Sequence, residues 1–233
     1  MGKRIIQRRR GKGSTVYRVK GSAFSIRFTY PYDETKGNVL KIIDSAGYTC
    51  PIAMIKTKKG TFFNVGVTGI LEGQEIEIGE NAQIKDGNII PLRKIPAGTK
   101  ICNIELEPYN GGKLIRSGGS YGVVTKKVGN QIAVMMPSKQ EVLVNENSRA
   151  TIGIVAGEGR TDKPFVKAGT KYFYLKVRNK HYPRTSPIKR NAVNHPFGGG
   201  RGKNMGKSSI APRWAPPGRK VGLLRPRKTG RGR

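Results

Sequence analysis

The sequence predicts an all-β body carrying two basic arms, on three observations. Short β-branched and aromatic runs recur between residues 31 and 159, each closed by turn residues. No segment of that stretch keeps a helical period. The charge, 45 Lys+Arg against 14 Asp+Glu for a net +31 over 233 residues, lies almost wholly at the two ends.

Taken in order, residues 1–30 hold nine basic residues and no acid. Arg4 and the cluster Arg8-Arg9-Arg10-Gly11-Lys12-Gly13 make this a compact cationic arm, whose glycines let the backbone approach a partner closely. The basic start has no apolar run behind it and does not read as a signal peptide. Strands are then expected at Val39–Ile43, Tyr48–Ile55, Thr61–Val67 and Glu75–Ile78, the last alternating with period two. Five more follow at Ile101–Leu106, Gly122–Val128, Gln131–Met136, Glu141–Val144 and Ala150–Val155. Turns at Asp86-Gly87-Asn88, Tyr109-Asn110-Gly111-Gly112, Ser117-Gly118-Gly119 and Val128-Gly129-Asn130 punctuate them. About ten strands make one large barrel or two small ones. Pro91 and Pro96 cannot both sit in a central strand, since each lacks a ladder donor. The stretch Pro91–Gly98 therefore reads as a joint, dividing the body into barrels at 31–90 and 91–160. A short helical segment is expected at 161–180, around Lys163 to Lys180. Pro164 would sit in its first turn and Val166, Tyr172, Phe173, Leu175 and Val177 would form its apolar stripe; Gly169 opposes it. The remainder, 181–233, is a basic Gly/Pro-rich arm.

Divided along the chain, the charge is decisive. Residues 31–159 are nearly neutral, at a net +2, while residues 160–233 hold 21 basic residues and Asp162 as their sole acid. The same C-terminal stretch has eight of the 14 prolines and ten glycines. It cannot bury enough apolar surface to offset its conformational entropy and is expected to be extended or disordered until a polyanion supplies counter-charge. Solubility alone does not call for so one-sided a segment. No apolar run approaches the ~18 residues of a membrane span. Cys50 and Cys102 give no disulfide framework. An intracellular partner of nucleic acid is expected.

Individual motifs narrow this. Gly198-Gly199-Gly200-Arg201-Gly202-Lys203-Asn204-Met205-Gly206-Lys207-Ser208 resembles a nucleotide-binding loop, but the glycine required five residues before Gly206 is Arg201, and no apolar strand precedes it. What remains is exposed backbone N–H groups beside cations, suited to phosphate. His195, in Asn194-His195-Pro196-Phe197, has the chemistry of a general acid or base, yet catalysis would need an orienting carboxylate and the arm has none nearer than Asp162. A histidine bonding or stacking on a nucleotide is the better reading, and a weaker one for His181. Cys50, Cys102, His181 and His195 show no metal-ligand spacing. Tyr172 and Tyr174 fit either base stacking or packing; Phe173 is expected to pack the helix onto a barrel.

Several blocks then point the same way. Gly87-Asn88-Ile89-Ile90-Pro91-Leu92-Arg93-Lys94-Ile95-Pro96-Ala97-Gly98-Thr99 is the most specific. Asn103–Leu106, Gly111–Gly119, Arg149–Gly153, Lys163-Pro164, Lys167–Gly169 and His195–Gly200 follow in order. With these the chain resembles the universal large-subunit ribosomal protein two family. Met1–Arg4 and Ala215–Gly222 resemble its archaeal-type form. The resemblance implies an OB-fold barrel, then an SH3-like barrel, with long basic extended arms threading large-subunit ribosomal RNA. It implies a place near the peptidyl-transferase centre, with roles in its assembly, subunit association and tRNA binding. By the resemblance, His195 and its glycines would belong to the loop that reaches toward the catalytic RNA. Two departures stand out: Asn194 replaces an aspartate usual before this histidine, and Ser186–Arg190 replaces Arg-Gly and small apolar residues.

The expectation is a structural, non-catalytic, cytoplasmic ribosomal protein, needing no cofactor or metal, with ribosomal RNA and neighbouring ribosomal proteins as partners, contact with the small subunit and tRNA, and no membrane. The residues expected to meet RNA in the N-terminal arm and body are Arg4, Arg8, Arg9, Arg10, Lys12, Arg93, Arg116, Ser117, Arg149, Arg160, Lys163 and Lys167. In the C-terminal arm they are His195, Gly198, Gly199, Gly200, Arg201, Lys203, Lys207, Arg213, Arg219 and Lys220. Two other classes satisfy parts of the pattern: a DNA-compacting protein, and an enzyme using His195.

Overall fold

A computed structural model of the chain describes residues 2–32, 35–202 and 204–227. It divides into two compact units, residues 21–166 and residues 1–20 with 167–233.

The larger unit is all-β, as expected. Its twelve described strands are β1 Thr35–Ile43, β2 Ile52–Thr57, β3 Gly60–Val65, β4 Glu75–Ile78, β5 Ile89–Pro91, β6 Lys100–Cys102, β7 Ile104–Glu105, β8 Gly112–Leu114, β9 Gly122–Val128, β10 Gln131–Met135, β11 Glu141–Asn145 and β12 Arg149–Ile152. Ten of them hydrogen-bond in the order β11-β10-β9-β6-β12-β5-β4-β1-β2-β3, with β7 and β8 apart as a pair. Every pairing is antiparallel but β4 with β5, which run parallel at Ile78 and Ile89.

Two apolar clusters fill this unit, and three strands feed both. Along β2, β3 and β5, successive side chains enter opposite clusters: Ile52 against Ala53 and Ile55, Val65 against Phe62, Ile90 against Ile89. A strand pleat sends alternate residues to opposite faces, so a strand covered on both sides loses its polar face. Ile89, Ile90 and Pro91 are all buried for this reason, with no alternation to mark them as a strand. The stretch near residue 90 is thus itself a strand, bonded to β4 on one side and β12 on the other. Pro91 is its last residue, and Pro96 lies beyond the turn at Leu92–Lys94. Truncating Ile89 or Ile90 to Ala would leave a cavity costing about 2–5 kcal/mol.

The smaller unit contains α1 Ile6–Gly11, α2 Ala168–Val177 and 3₁₀ turns at Thr15–Tyr17 and Pro187–Lys189. The N-terminal arm, expected to be basic and extended, includes the six-residue α1. The two ends are also gathered together, since Ile5, Phe197 and Val221 form a small buried cluster and Lys3 N–H donates to Val193 O at 2.8 Å. With Ala211 and His195 these are the buried side chains of the unit among the described residues, a small core for so long a stretch. α2 begins at Ala168, five residues later than expected, and Pro164 precedes it. No side chain of α2 is buried; Phe173, expected to pack, is 63% exposed and meets Tyr172 edge-on at 5.3 Å.

Candidate nucleic-acid interface

The smaller unit concentrates charge of one sign. Residues 1–20 and 167–233 include 27 of the 45 cations and none of the 14 acids. Within that unit Arg4, Arg8, Arg9, Arg10 and Lys12 are all exposed. Arg8, Arg9 and Arg10 occupy the last turn of α1, where the negative end of the helix dipole favours them. From the distant end of the chain, Lys220 joins Arg4, Arg8 and Lys12 around a groove of about 580 Å³. The Lys220 ammonium donates to Arg213 O at 3.2 Å, and Arg213 lies over the ring of Trp214, which is 86% exposed. Arg219 is half-buried and its Nη1 lacks a hydrogen-bond partner. Lys167, Arg201 and Lys207 are exposed. Lys203 lies outside the described residues.

The His195 loop is built by close backbone approach. Gly198 N–H donates to His195 O and Gly199 N–H to Arg190 O, both at 2.9 Å. A Cβ on Gly198 would lie 2.4 Å from Asn191 O and 2.5 Å from Arg190 O, so only glycine closes this loop. Beyond it Gly199 and Gly200 are exposed. His195 is buried, 3% exposed, and its Nδ1 accepts from Phe197 N–H at 3.1 Å, which places the neutral ring's proton on Nε2. Burial, and secondarily the Arg190 charge, push its pKa below the ordinary histidine value, so the ring is neutral near pH 7. With Nδ1 accepting, the neutral imidazole offers a hydrogen-bond donor at Nε2, and the unit's sequence contains no Asp or Glu beside it.

In the larger unit the expected contacts divide. Arg160 and Lys163 are exposed, as is Ser117, while Arg116 is half-buried over the Phe28 ring. Arg93 is exposed and forms an ion pair with Glu80. Arg149, expected at the RNA, is instead an internal cation. Its Nη2 and Nε donate to the two oxygens of buried Glu105 at 2.9 and 3.2 Å, and its Nη1 donates to Pro31 O. Tyr30 and Tyr109 flank its guanidinium. Glu105 also accepts from the N–H groups of Gly111 and Arg149. Beside this pair, Tyr30 Oη donates to Asn103 O at 2.6 Å and lies 2.7 Å from Thr151 Oγ1. Burial pushes the Tyr30 phenol well above its usual pKa. This polar core fixes β7 against β12 and engages all three nitrogens of the Arg149 guanidinium.

The profile described as "Ribosomal Proteins L2, C-terminal domain" matches residues 85–215, more than half of the chain. The large ribosomal subunit protein uL2 of Korarchaeum cryptofilum is 42% identical over 236 residues, covering 99% of this chain and 96% of that protein. The protein of the same name from Archaeoglobus fulgidus is 43% identical over 237 residues, covering 99% of each. The chain belongs to the ribosomal protein L2 family. Within that family it is an archaeal-type member. No helix among the described residues is long and apolar enough to cross a membrane.

Sequence reasoning passed over Arg184, Arg190, Tyr17, Tyr182 and Trp214. The run Tyr182-Pro183-Arg184, an aromatic two residues before a cation in an acid-free stretch, was the available signal.

Proposed function

We infer that this L2-family protein binds large-subunit ribosomal RNA chiefly through its two ends and has no catalytic activity of its own. The observation that carries this is the smaller unit: 27 cations, no acid, and a very small apolar core. Bringing such ends together is opposed by self-repulsion unless a polyanion screens it. Each lysine or arginine that meets a phosphate releases condensed counterions, and the arginines add forked hydrogen bonds that a point charge cannot. The exposed cations and glycines around His195 and along α1 are the contact residues, and the near-neutral β unit fixes their register on the RNA. Through them the chain supports the peptidyl-transferase centre, subunit association and tRNA binding.

Sedimentation of tagged protein from cell lysate tests this. Co-migration with the large subunit, abolished by releasing it in high salt, is expected. Migration with DNA, or as a free protein at physiological salt, contradicts it.

A further inference from the structure

Two cavities in the smaller unit meet at one residue. The first, about 230 Å³, is lined by Tyr17, Tyr172 and Tyr182, with Lys176 and His181 at its wall. Lys171 lies 5.5 Å above the Tyr182 ring and Lys176 5.9 Å from that of Tyr172. Asn179 holds this arrangement together. Its φ of +49° turns the chain at the end of α2, and its Nδ2 donates to Arg18 O at 2.6 Å, fastening the Tyr17 segment beside the helix. The second cavity, about 100 Å³, is lined by Arg10, Arg184 and Arg190, together with His195 and again His181. Arg190 is oriented by donation from its Nη2 to Thr185 O at 3.0 Å.

We propose that the two cavities form one site for a single unpaired RNA nucleotide, its base among the tyrosines and its phosphate among Arg10, Arg184 and Arg190. The proposal rests on the RNA-binding reading above and adds to it the class of ligand. Rings rimmed by ammonium groups accept the face of any base, and three guanidinium forks beside a neutral histidine accept the oxygens of a phosphate. The smaller cavity takes a phosphate group and is too small for a base. His181, in the wall of both, lies where the sugar would pass. A free mononucleotide has the same chemistry, but its charge is far less than the unit requires. RNA supplies the remainder.

The test compares two synthetic RNA duplexes at fixed salt, one with a single bulged 2-aminopurine and one fully paired. Full-length protein should quench the 2-aminopurine and bind the bulged duplex about 5- to 140-fold tighter, the equivalent of ~1–3 kcal/mol for one stacked base. Tyr172→Ala and Tyr182→Ala should each remove the preference without weakening the paired duplex, and Tyr172→Phe should keep it. Arg184→Gln should weaken the bulged duplex more than the paired one. Equal affinities with unquenched fluorescence overturn the site, while salt-dependent binding of both duplexes leaves the general RNA-binding reading standing. Loss of salt-dependent binding to both overturns that reading as well. Binding of 2-aminopurine ribonucleoside monophosphate without preference for the bulge overturns the RNA assignment.

Discussion

Arg149 belongs to a sequence block that suggests an RNA contact, yet its guanidinium is held by Glu105 and the Pro31 carbonyl inside the β unit. Charge alone does not separate such a residue from Arg9, which is exposed on α1. Removing one member of a buried ion pair strands the other, at a cost of about 3–5 kcal/mol. Arg149→Met should therefore lower unfolding free energy by that amount in urea titration, whereas Arg9→Met should change it by less than about 0.5 kcal/mol and weaken RNA binding instead. His195 gives a second prediction at this scale. Its folded pKa is depressed by burial and by Arg190, so the unfolded chain binds its proton more readily. The stabilisation is complete above the unfolded value, about 6.5, and is lost as pH falls through the folded value. Thermal melts should fall on acidification from about pH 7.5 to 5.5, and His195→Gln should flatten that dependence.

The elements were legible where one face stayed polar. β4 alternates cleanly, and β9 through β11 form a meander whose exposed positions include Lys126, Lys127 and Glu141. β5 was missed because both its faces are buried and it ends in proline; β8 was missed because it begins with Gly112, which has no side chain to give a pattern. The helical expectation over Lys163–Lys180 found α2 but placed its start five residues early; Lys167 is extended and stands at the N-cap. In the His195 loop the residue types were legible, but the reason for glycine was not. Three glycines suggested backbone open to phosphate; the structure shows Gly198 pressed against the carbonyls of Asn191 and Arg190. Gly198→Ala should reduce incorporation into large subunits, measured by gradient sedimentation. Gly202→Ala, whose added Cβ would come no nearer than 4.0 Å to its surroundings, should incorporate normally.

At the scale of the whole molecule, charge segregation was the strongest signal in the sequence, because it needs no knowledge of the fold. Composition could not show that the two ends converge. Ile5, Phe197 and Val221 lie up to 216 residues apart and carry no local pattern marking them as neighbours. Deleting residues 181–233 removes Phe197 and Val221 along with most of the C-terminal cations, so the β unit should stay folded by circular dichroism while assembly into active subunits fails. The most direct measurement is the affinity of the full chain for large-subunit ribosomal RNA across a salt series. Neutralisation of a cationic unit by phosphates predicts a linear fall of log K with log salt, with a slope on the order of −0.7 to −0.9 per phosphate contact and about ten contacts or more in total. An affinity that does not change with salt would contradict it.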